Sequence, residues 1–248
     1  MVFVPIYDIN PLRRIRFQYA TVAIIILNVL VFFIFQARDV LAGNECSELS
    51  FSKAFGLIPL ELLGTPVGIE GCPSSAVAGI AAPEPLTLLT YMFLHGDIWH
   101  LVGNMLFLWV FGDNVEDALG HFRFVAFYLL CGIAGGLAHT LMQQTSTAPL
   151  IGASGATSGV VAAYLMLHPR VSMWVLVLRI IPLKVPAYLA LGAWVIMNAV
   201  LAVIAVDQVI GWWAHLGGMV AGAVLVILLR QPGVKLFSWA PPTRSEPH

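Results

Sequence analysis

The segment YATVAIIILNVLVFFIFQ, residues 19–36, contains no charged side chain. A helix that crosses the hydrocarbon core of a bilayer needs about 20 mostly apolar residues. The segment therefore predicts a membrane-spanning helix, and with it a membrane protein.

The composition of the whole chain supports the same prediction. Of the 248 residues, 59% are hydrophobic and 10% are charged, and the mean hydropathy is +0.89. Soluble domains are about 45–50% apolar and about 25% charged. A small domain cannot bury such a surplus, because much of its residue mass lies at the surface. We therefore predict a polytopic membrane protein and exclude the soluble, secreted and disordered classes. The formal net charge of −1 and the lack of a basic face also argue against nucleic-acid binding.

Further apolar runs follow along the chain. Together with residues 19–36 they predict an all-α bundle of six membrane-spanning helices, the others lying roughly at residues 98–117, 122–142, 150–168, 185–206 and 211–229. The apolar stretch 86–94 is interrupted by His95, Gly96 and Asp97. It predicts an interfacial or re-entrant piece before the second span.

The positive charges predict the orientation of these spans. Cytoplasmic loops carry an excess of Lys and Arg. With the N-terminus inside, ten of the twelve cationic residues lie on the inner side, namely Arg13, Arg14, Arg16, Arg123, Arg170, Arg179, Lys184, Arg230, Lys235 and Arg244. Only Arg38 and Lys53 then lie outside. Both termini are therefore predicted to be cytoplasmic.

The domain organisation follows from the spans. Residues 1–18 form a cytoplasmic N-terminal segment, residues 19–230 form the membrane domain, and residues 231–248 form a disordered cytoplasmic tail. The outer loop, at about 37–97, is apolar and is expected to lie on the bilayer surface or to pack against the helices. The first span has no small-residue cleavage site after it, so we expect an uncleaved signal anchor.

Two cysteines fall in the predicted outer loop. Cys46 and Cys72 can form a disulfide there if the compartment is oxidising; a bond between them and two free thiols are equal alternatives. Neither a C-x-x-C nor an H-E-x-x-H spacing occurs, so we expect no metal site.

Polar residues recur near the outer ends of the second, fourth and sixth predicted spans, which run in the same direction. The second span carries His100 and Asn104, the fourth Ser154, and the sixth His215. Intramembrane ionisable residues usually face the bundle interior or a water-filled cavity. We therefore predict that these side chains converge on one hydrated site that opens outward.

The spacing of glycines favours a close approach of the last span to the fourth. Gly218 and Gly222 are four residues apart and share a helix face with His215. Such small-residue patterns let two helices pack closely. We expect the Ser154 hydroxyl to lie within hydrogen-bond reach of an imidazole nitrogen of His215. A serine whose proton can pass to an adjacent imidazole is an activated nucleophile.

The start of the fourth span is suited to hold a developing negative charge. Backbone N–H groups in the first turn of a helix lack intrahelical partners, and the helix dipole is positive there. His100 and Asn104 can add donors from the second span. No carboxylate lies at the same depth, since Asp97 and Asp207 lie at the outer ends of spans, so a Ser–His dyad is favoured over a triad.

These residues resemble the rhomboid family of intramembrane serine proteases, over roughly residues 19–230. The matching motifs are Gly152-Ala153-Ser154-Gly155 for the family's G-x-S-G, Ala214-His215-x-x-Gly218-x-x-x-Gly222 for its last helix, and His95-x-x-x-x-His100-x-x-x-Asn104 for its second span. Glu116, at the inner end of that span, resembles the family's acidic position in a structural turn.

The resemblance implies a role for each motif residue. Ser154 would be the nucleophile and His215 the general base. The oxyanion hole would be lined by His100, Asn104 and Ala153, while His95, Gly152 and Gly155 would shape the site. It also implies a six-helix bundle with a short fourth helix. The implied substrates are single-pass membrane proteins that arrive laterally from the lipid and are cut near the outer leaflet, without a cofactor.

One position departs from the family pattern. Many rhomboids have an aromatic residue four positions after the nucleophile, where this chain has Ser158. We expect His215 to be supported instead by Trp212 or Trp213, or by packing alone.

Two other classes compete with a protease. A catalytically silent rhomboid-like protein that binds membrane clients typically lacks the serine or the histidine, and this chain has both. A transporter or channel is expected to carry charged residues or broken helices near mid-membrane, which the predicted spans lack. We predict a membrane-embedded peptidase. Because no transit peptide is recognisable and the spans are compact, a bacterial plasma membrane is favoured over the alternative, a eukaryotic secretory membrane.

Overall fold

The computed structural model describes residues 3–37, 51–67, 81–177, 180–204 and 210–237. Its elements in chain order are strand β1 (Phe3–Asp8), helix α1 (Tyr19–Val31) with a π-helical turn (Phe32–Gln36), α2 (Pro59–Leu62), α3 (Glu84–Thr90) with a 3₁₀ turn (Tyr91–Phe93), α4 (Ile98–Leu119), α5 (His121–Met142), α6 (Ser154–Leu167), β2 (Ser172–Val177), β3 (Ile181–Pro186), α7 (Ala187–Ile204) and α8 (Trp212–Leu229). Of the predicted disordered tail 231–248, residues 231–237 are described and are anchored to the helices, since the Gln231 and Phe237 N–H groups donate to the carbonyls of Ala118 and Met166. The part from residue 238 onward lies outside the described residues.

Within the described ranges, four helices are long and apolar enough to cross a membrane: Tyr19–Gln36, α5, α7 and α8. Helix α6 is apolar but has only 14 residues. Helix α4 has 22 residues, but polar side chains such as His100, Asn104 and Asp113 lower its mean hydropathy. The prediction of a mostly helical integral membrane protein is confirmed.

The structure corrects the all-α prediction. Strands β1, β2 and β3 form a three-stranded antiparallel sheet in that order. In β2, Met173 and Val175 are buried while Trp174 is exposed, which is the alternation of a half-buried strand. The pattern covers few residues, and β2 is completed by β1 from the distant N-terminus. Sequence analysis therefore assigned no strand there.

The sheet places several chain segments on one side of the bundle. Pairing of β1 with β2 sets the N-terminal segment beside the connection between α6 and α7. The backbone N–H of Gln231 donates to the carbonyl of Ala118, so the chain leaving α8 meets the end of α4. The N-terminus, the β2–β3 hairpin and the end of α8 therefore share one side, to which sequence analysis assigned most of the Lys and Arg residues.

Two buried carboxylates at the end of α4 accept hydrogen bonds from the N-terminal segment and the start of α1. Glu116 accepts hydrogen bonds from the backbone N–H groups of Ala20 (3.0 Å) and Thr21 (2.8 Å) and from the Thr21 hydroxyl (2.7 Å). Asp117 accepts from the backbone N–H groups of residues 13–15. The first turn of α1 is thus capped by the Glu116 side chain of α4, which is a structural use of Glu116.

Helix α6 lies at the centre of the bundle. It is buried along most of its length, and α8 packs chiefly against α5 and α6. Helix α7 is peripheral, since its buried residues are only Ala187, Leu191, Asn198 and Ala202. A site built at the start of α6 is therefore surrounded by other helices, with α7 forming its least covered wall.

The described part of the outer loop packs against the helices. Leu57 and Leu150 exchange backbone hydrogen bonds, and Leu57 and Ile58 are buried. Of the two alternatives for this loop, packing on the bundle is the one that the described residues adopt.

Candidate active site

Ser154 is the first residue of α6, at the end of a tight turn. Gly152 has a φ of +122°, a conformation that L side chains rarely adopt. Its N–H donates to the carbonyl of Tyr91 at 2.9 Å. Ala153 is the N-cap residue, and no side chain caps the helix. The backbone N–H groups around Ser154 are therefore donors without an intrahelical partner.

The hydroxyl of Ser154 contacts the imidazole of His215. Ser154 Oγ lies 2.8 Å from His215 Nε2, which is an ordinary hydrogen-bond distance. His215 lies in the first turn of α8, so the N-terminal ends of α6 and α8 meet at this contact.

Glycines allow the two helices to come this close. A Cβ on Gly218 would lie 1.9 Å from the carbonyl oxygen of Gly155, and a Cβ on Gly222 would lie 2.2 Å from that of Gly159. Any larger residue would therefore push against backbone atoms of α6. Gly218 and Gly222 lie at the helix–helix contact, and Gly155 lies directly opposite.

Helix α7 holds the other side of His215. His215 Nδ1 lies 2.8 Å from Asn198 Oδ1. Trp194 stacks on the imidazole at 6.4 Å between ring centroids and an angle of 25°, while Trp212 contacts its edge at 5.7 Å. Trp212 was expected near His215 from the sequence, whereas Asn198 and Trp194 were not. The signal for Asn198 was present, because a lone amide in an apolar span usually faces the bundle interior.

His100 and Asn104 share one face of α4 and line the same cavity as Ser154. A Cβ on Gly152 would lie 2.7 Å from His100 Nε2, so the His100 ring reaches the turn before the serine. The Asn104 amide donates instead to the carbonyl of His100, at 3.1 Å. The structure thus brings His100 to the serine turn and leaves the Asn104 amide engaged in its own helix.

His95 lies behind His100 and is fully buried. The two rings meet edge to face, with 5.1 Å between their centroids. The side chain of Gln36 holds the His95 backbone: its Nε2 donates to the His95 carbonyl, and its Oε1 accepts from the His95 N–H, both at 3.1 Å. Sequence analysis missed Gln36, which is the polar last residue of the first apolar run.

A cavity of about 800 Å³ adjoins these groups. Residues from five helices, α4 to α8, and the turn before α6 line it, among them His100, Asn104, Ile151, Ser154, Trp194, Asn198 and His215. Four further buried lining atoms have no hydrogen-bond partner within the described part of the chain: Thr157 Oγ1, Ser158 Oγ, His139 Nδ1 and Trp212 Nε1. Such polar, unpaired groups allow water to occupy a cavity of this size.

The described residues contain no cluster of three or more His, Cys, Asp or Glu side chains that could hold a metal ion. Cys46 and Cys72 lie outside the described residues, and their possible disulfide stays a prediction. Cys131 is buried in α5 as a free thiol.

The model of the rhomboid family, described as "Rhomboid domain", matches residues 82–232. This match covers more than half of the chain and includes Ser154, His215 and the α4 residues described above. The chain belongs to the rhomboid family. Membership supports a role in intramembrane proteolysis or another rhomboid-like role.

Several curated proteins are similar to the chain. RHOMBOID-like protein 6, mitochondrial, of Arabidopsis thaliana is 35% identical over 156 residues, covering 60% of this chain and 45% of the relative. Rhomboid protein 1, mitochondrial, of Saccharomyces cerevisiae is 33% identical over 148 residues, covering 56% and 40%. Presenilin-associated rhomboid-like protein, mitochondrial, of Mus musculus is 30% identical over 171 residues, covering 62% and 42%. The chain thus spans less than half the length of each of these relatives.

Proposed function

We propose that this chain is an intramembrane serine endopeptidase in which Ser154 is the nucleophile and His215 is the general base. The observation that carries the proposal is the 2.8 Å contact between Ser154 Oγ and His215 Nε2, at the edge of a cavity large enough for a segment of polypeptide. A serine paired in this way with an imidazole has a base to receive its proton.

The proposed reaction proceeds through an acyl-enzyme. Ser154 Oγ attacks the carbonyl carbon of the scissile peptide while its proton passes to His215 Nε2. The tetrahedral intermediate collapses as His215 gives that proton to the leaving amine, and the acyl group stays on Ser154. Water then attacks the ester, His215 again takes a proton, and the carboxyl product departs as Ser154 recovers its hydrogen.

The oxyanion would be held by donors on two helices. The backbone N–H groups around Ala153 at the start of α6 point their partial positive charge toward the site, and His100 approaches from α4. Asn104 would join them once its amide turns away from the His100 carbonyl. Loss of a single such donor typically lowers the rate by about 10²–10³-fold.

The proposed substrates are single-pass membrane proteins that reach the site laterally from the lipid and are cut near the outer leaflet. The cavity lies at the N-terminal ends of α4, α6 and α8, which the charge distribution predicts to be the outer ends, and the sparsely packed α7 forms one wall. A helical substrate hides its carbonyl groups in hydrogen bonds, so helix-weakening residues and small side chains beside the scissile bond should favour cleavage. The reaction uses protein side chains and water, without a cofactor.

We also propose that α4 and α6 complete a six-helix membrane domain over residues 19–230. The segment 1–18 and the tail 231–248 would lie together on the cytoplasmic side, where β1 meets the β2–β3 hairpin. The mitochondrial names of the relatives lend no support to the bacterial plasma membrane favoured by sequence analysis. The proposal therefore stops at an integral membrane protein with both termini on one side.

Covalent labelling of Ser154 tests the proposed function. We expect a fluorophosphonate probe to label the purified protein in detergent, and we expect Ser154→Ala to abolish both labelling and cleavage of a model transmembrane substrate in proteoliposomes. Ser52→Ala is the matched control, because Ser52 is buried outside the cavity and its loss should leave both activities intact.

Two results would contradict the proposal. Unchanged turnover by Ser154→Ala would exclude Ser154 as the nucleophile. A folded wild-type protein that the probe does not label would favour a catalytically silent member that binds membrane clients.

A further inference from the structure

His215 has a hydrogen-bond partner on each ring nitrogen. Ser154 Oγ lies 2.8 Å from Nε2, and Asn198 Oδ1 lies 2.8 Å from Nδ1. Asn198 is 1% exposed, so almost none of its side chain is open to water from the cavity that it lines. The three side chains come from three helices: α6, α8 and α7.

A second hydrogen bond determines which way the Asn198 amide points. Asn198 Nδ2 donates to the backbone carbonyl of Trp194 at 2.7 Å. A carbonyl oxygen can only accept, so the amide nitrogen must face Trp194. The amide oxygen must then face His215, because exchanging the two atoms would bring two acceptors together.

The orientation of Asn198 determines the tautomer of His215. Asn198 Oδ1 is an acceptor only, so His215 Nδ1 must carry a proton. A neutral imidazole has one N–H, which leaves a lone pair on Nε2. That lone pair faces Ser154 Oγ, so the serine donates and the histidine accepts, as a general base requires.

We propose that Asn198 is a positioning residue of this active site, which fixes the tautomer and the ring plane of His215 so that Nε2 accepts the Ser154 proton. The inference rests on the proposed function. Asn198 holds the position that a carboxylate holds in a Ser–His–Asp triad. An amide orients the ring without placing a charge in the membrane interior, where ionised groups are costly.

The hydrogen bond between His215 Nδ1 and Asn198 Oδ1 can persist throughout the reaction. When His215 has taken the serine proton, both of its ring nitrogens carry hydrogens, and Nδ1 still donates to Asn198 Oδ1. Trp194 reinforces the arrangement, because it presents its ring to the imidazole and its carbonyl to the Asn198 amide. One turn of α7 thus supplies the support for His215 that Ser158 does not provide.

Two substitutions distinguish the effect of the Asn198 hydrogen bond from the effect of the size of its side chain. Asn198→Leu preserves the size of the side chain but removes the acceptor. Asn198→Asp preserves the acceptor: an ionised carboxylate still accepts from Nδ1, and a neutral one can also donate its O–H to the Trp194 carbonyl. Asn28→Leu is the matched control, because Asn28 is buried on α1 and donates to the Ile24 carbonyl at 2.8 Å in the same local geometry.

The first measurement is the rate at which the fluorophosphonate probe labels Ser154. We expect Asn198→Leu to lower this rate by about 10- to 100-fold, the range expected for loss of one hydrogen bond to a group that becomes charged. Asn198→Asp should retain most of the wild-type rate, and Asn28→Leu should retain all of it. Labelling of Asn198→Leu at the wild-type rate would overturn the inference while leaving Ser154 as the nucleophile. Failure of the wild-type protein to label would instead overturn the proposed function.

The second measurement reads the tautomer directly. Nitrogen NMR of protein with ¹⁵N-labelled histidine, with the His215 signals identified by their absence in His215→Gln, should show His215 protonated on Nδ1. In Asn198→Leu the signals should shift toward the Nε2-protonated form. A wild-type His215 that carries its proton on Nε2 would overturn the inference, even if Asn198→Leu does not fold.

Discussion

Asp8 is a buried carboxyl group at the end of β1. It is 6% exposed and accepts hydrogen bonds from the Tyr164 hydroxyl at 2.5 Å and from the Asn114 amide at 3.3 Å. Burial raises the pKa of Asp8 from its ordinary value of 3.8 to about 7; the hydrogen bond from Tyr164 opposes this shift, and the nearby Asp113 adds to it. The folded protein therefore keeps a proton on Asp8 that the unfolded chain loses in mild acid.

The raised pKa of Asp8 predicts a pH-dependent stability. As the pH rises from about 4 to about 7, the unfolded state releases the Asp8 proton before the folded state does, so the free energy of unfolding falls. Above about pH 7 both states are ionised and the effect of Asp8 levels off. We expect the free energy of unfolding of Asp8→Asn to vary less over this pH window. The amide oxygen of the asparagine still accepts from Tyr164, but the amide does not titrate. Thermal unfolding of both proteins across the window measures the difference, and parallel curves would contradict the prediction.

At the level of single residues, motif spacing identified two side chains that the structure brings into contact, Ser154 and His215, but not the residues that support His215. Ser154 and His215 could be picked out because both belong to recognisable patterns and interrupt apolar helices. Asn198 belongs to no recognisable motif, and whether its side chain reaches His215 depends on the rotation of α7 about its own axis. That rotation results from side-chain packing between helices, which the hydropathy of the segment does not encode.

At the scale of elements, the contact between α6 and α8 predicts opposite effects for two Gly→Ala substitutions. Gly218→Ala should destabilise the protein by about 1–3 kcal/mol, the usual cost of overpacking, and should slow labelling of Ser154 because α8 is displaced. The reason is that the new Cβ would meet the Gly155 carbonyl at 1.9 Å. Thermal unfolding and the labelling rate measure the two effects.

Gly192 in α7 provides the control. A Cβ there meets nothing within 4 Å, so Gly192→Ala should be neutral or stabilise the helix by up to about 1 kcal/mol. Equal effects of the two substitutions would show that helix–helix contact is not the cause.

The bounds of the helices were predictable where hydropathy changes sharply. Residues 19–36 form α1 and its π-helical continuation, and the run predicted at 211–229 differs from α8 only at its first residue. The run predicted at 150–168 was too long, because residues 150–153 form a bridge to Leu57 and the turn at Gly152 before α6 begins. Apolar composition does not distinguish a buried turn from the start of a helix.

For the molecule as a whole, the N-terminal strand and the end of α8 lie on one side of the bundle. This arrangement predicts from which side of a membrane a reagent can reach each segment. The background for this test carries Cys46→Ser and Cys72→Ser. In it, the cysteine of Lys235→Cys should react with an impermeant maleimide from one side of sealed vesicles. A cysteine at Leu63, which is 52% exposed in the outer loop, should react from the other side. Reaction of both from the same side would contradict the predicted topology.

Hydropathy was enough to recognise a membrane protein, because it adds up locally along the chain. The distribution of charge predicts an orientation in the same way, and that orientation stays a prediction. The motif residues were enough to name a serine and a histidine as chemical partners. The sheet, the cavity and the contact between Asn198 and His215 came from folding alone. Each joins segments far apart in sequence, and such contacts form only once the helices have packed, since packing sets which atoms face one another.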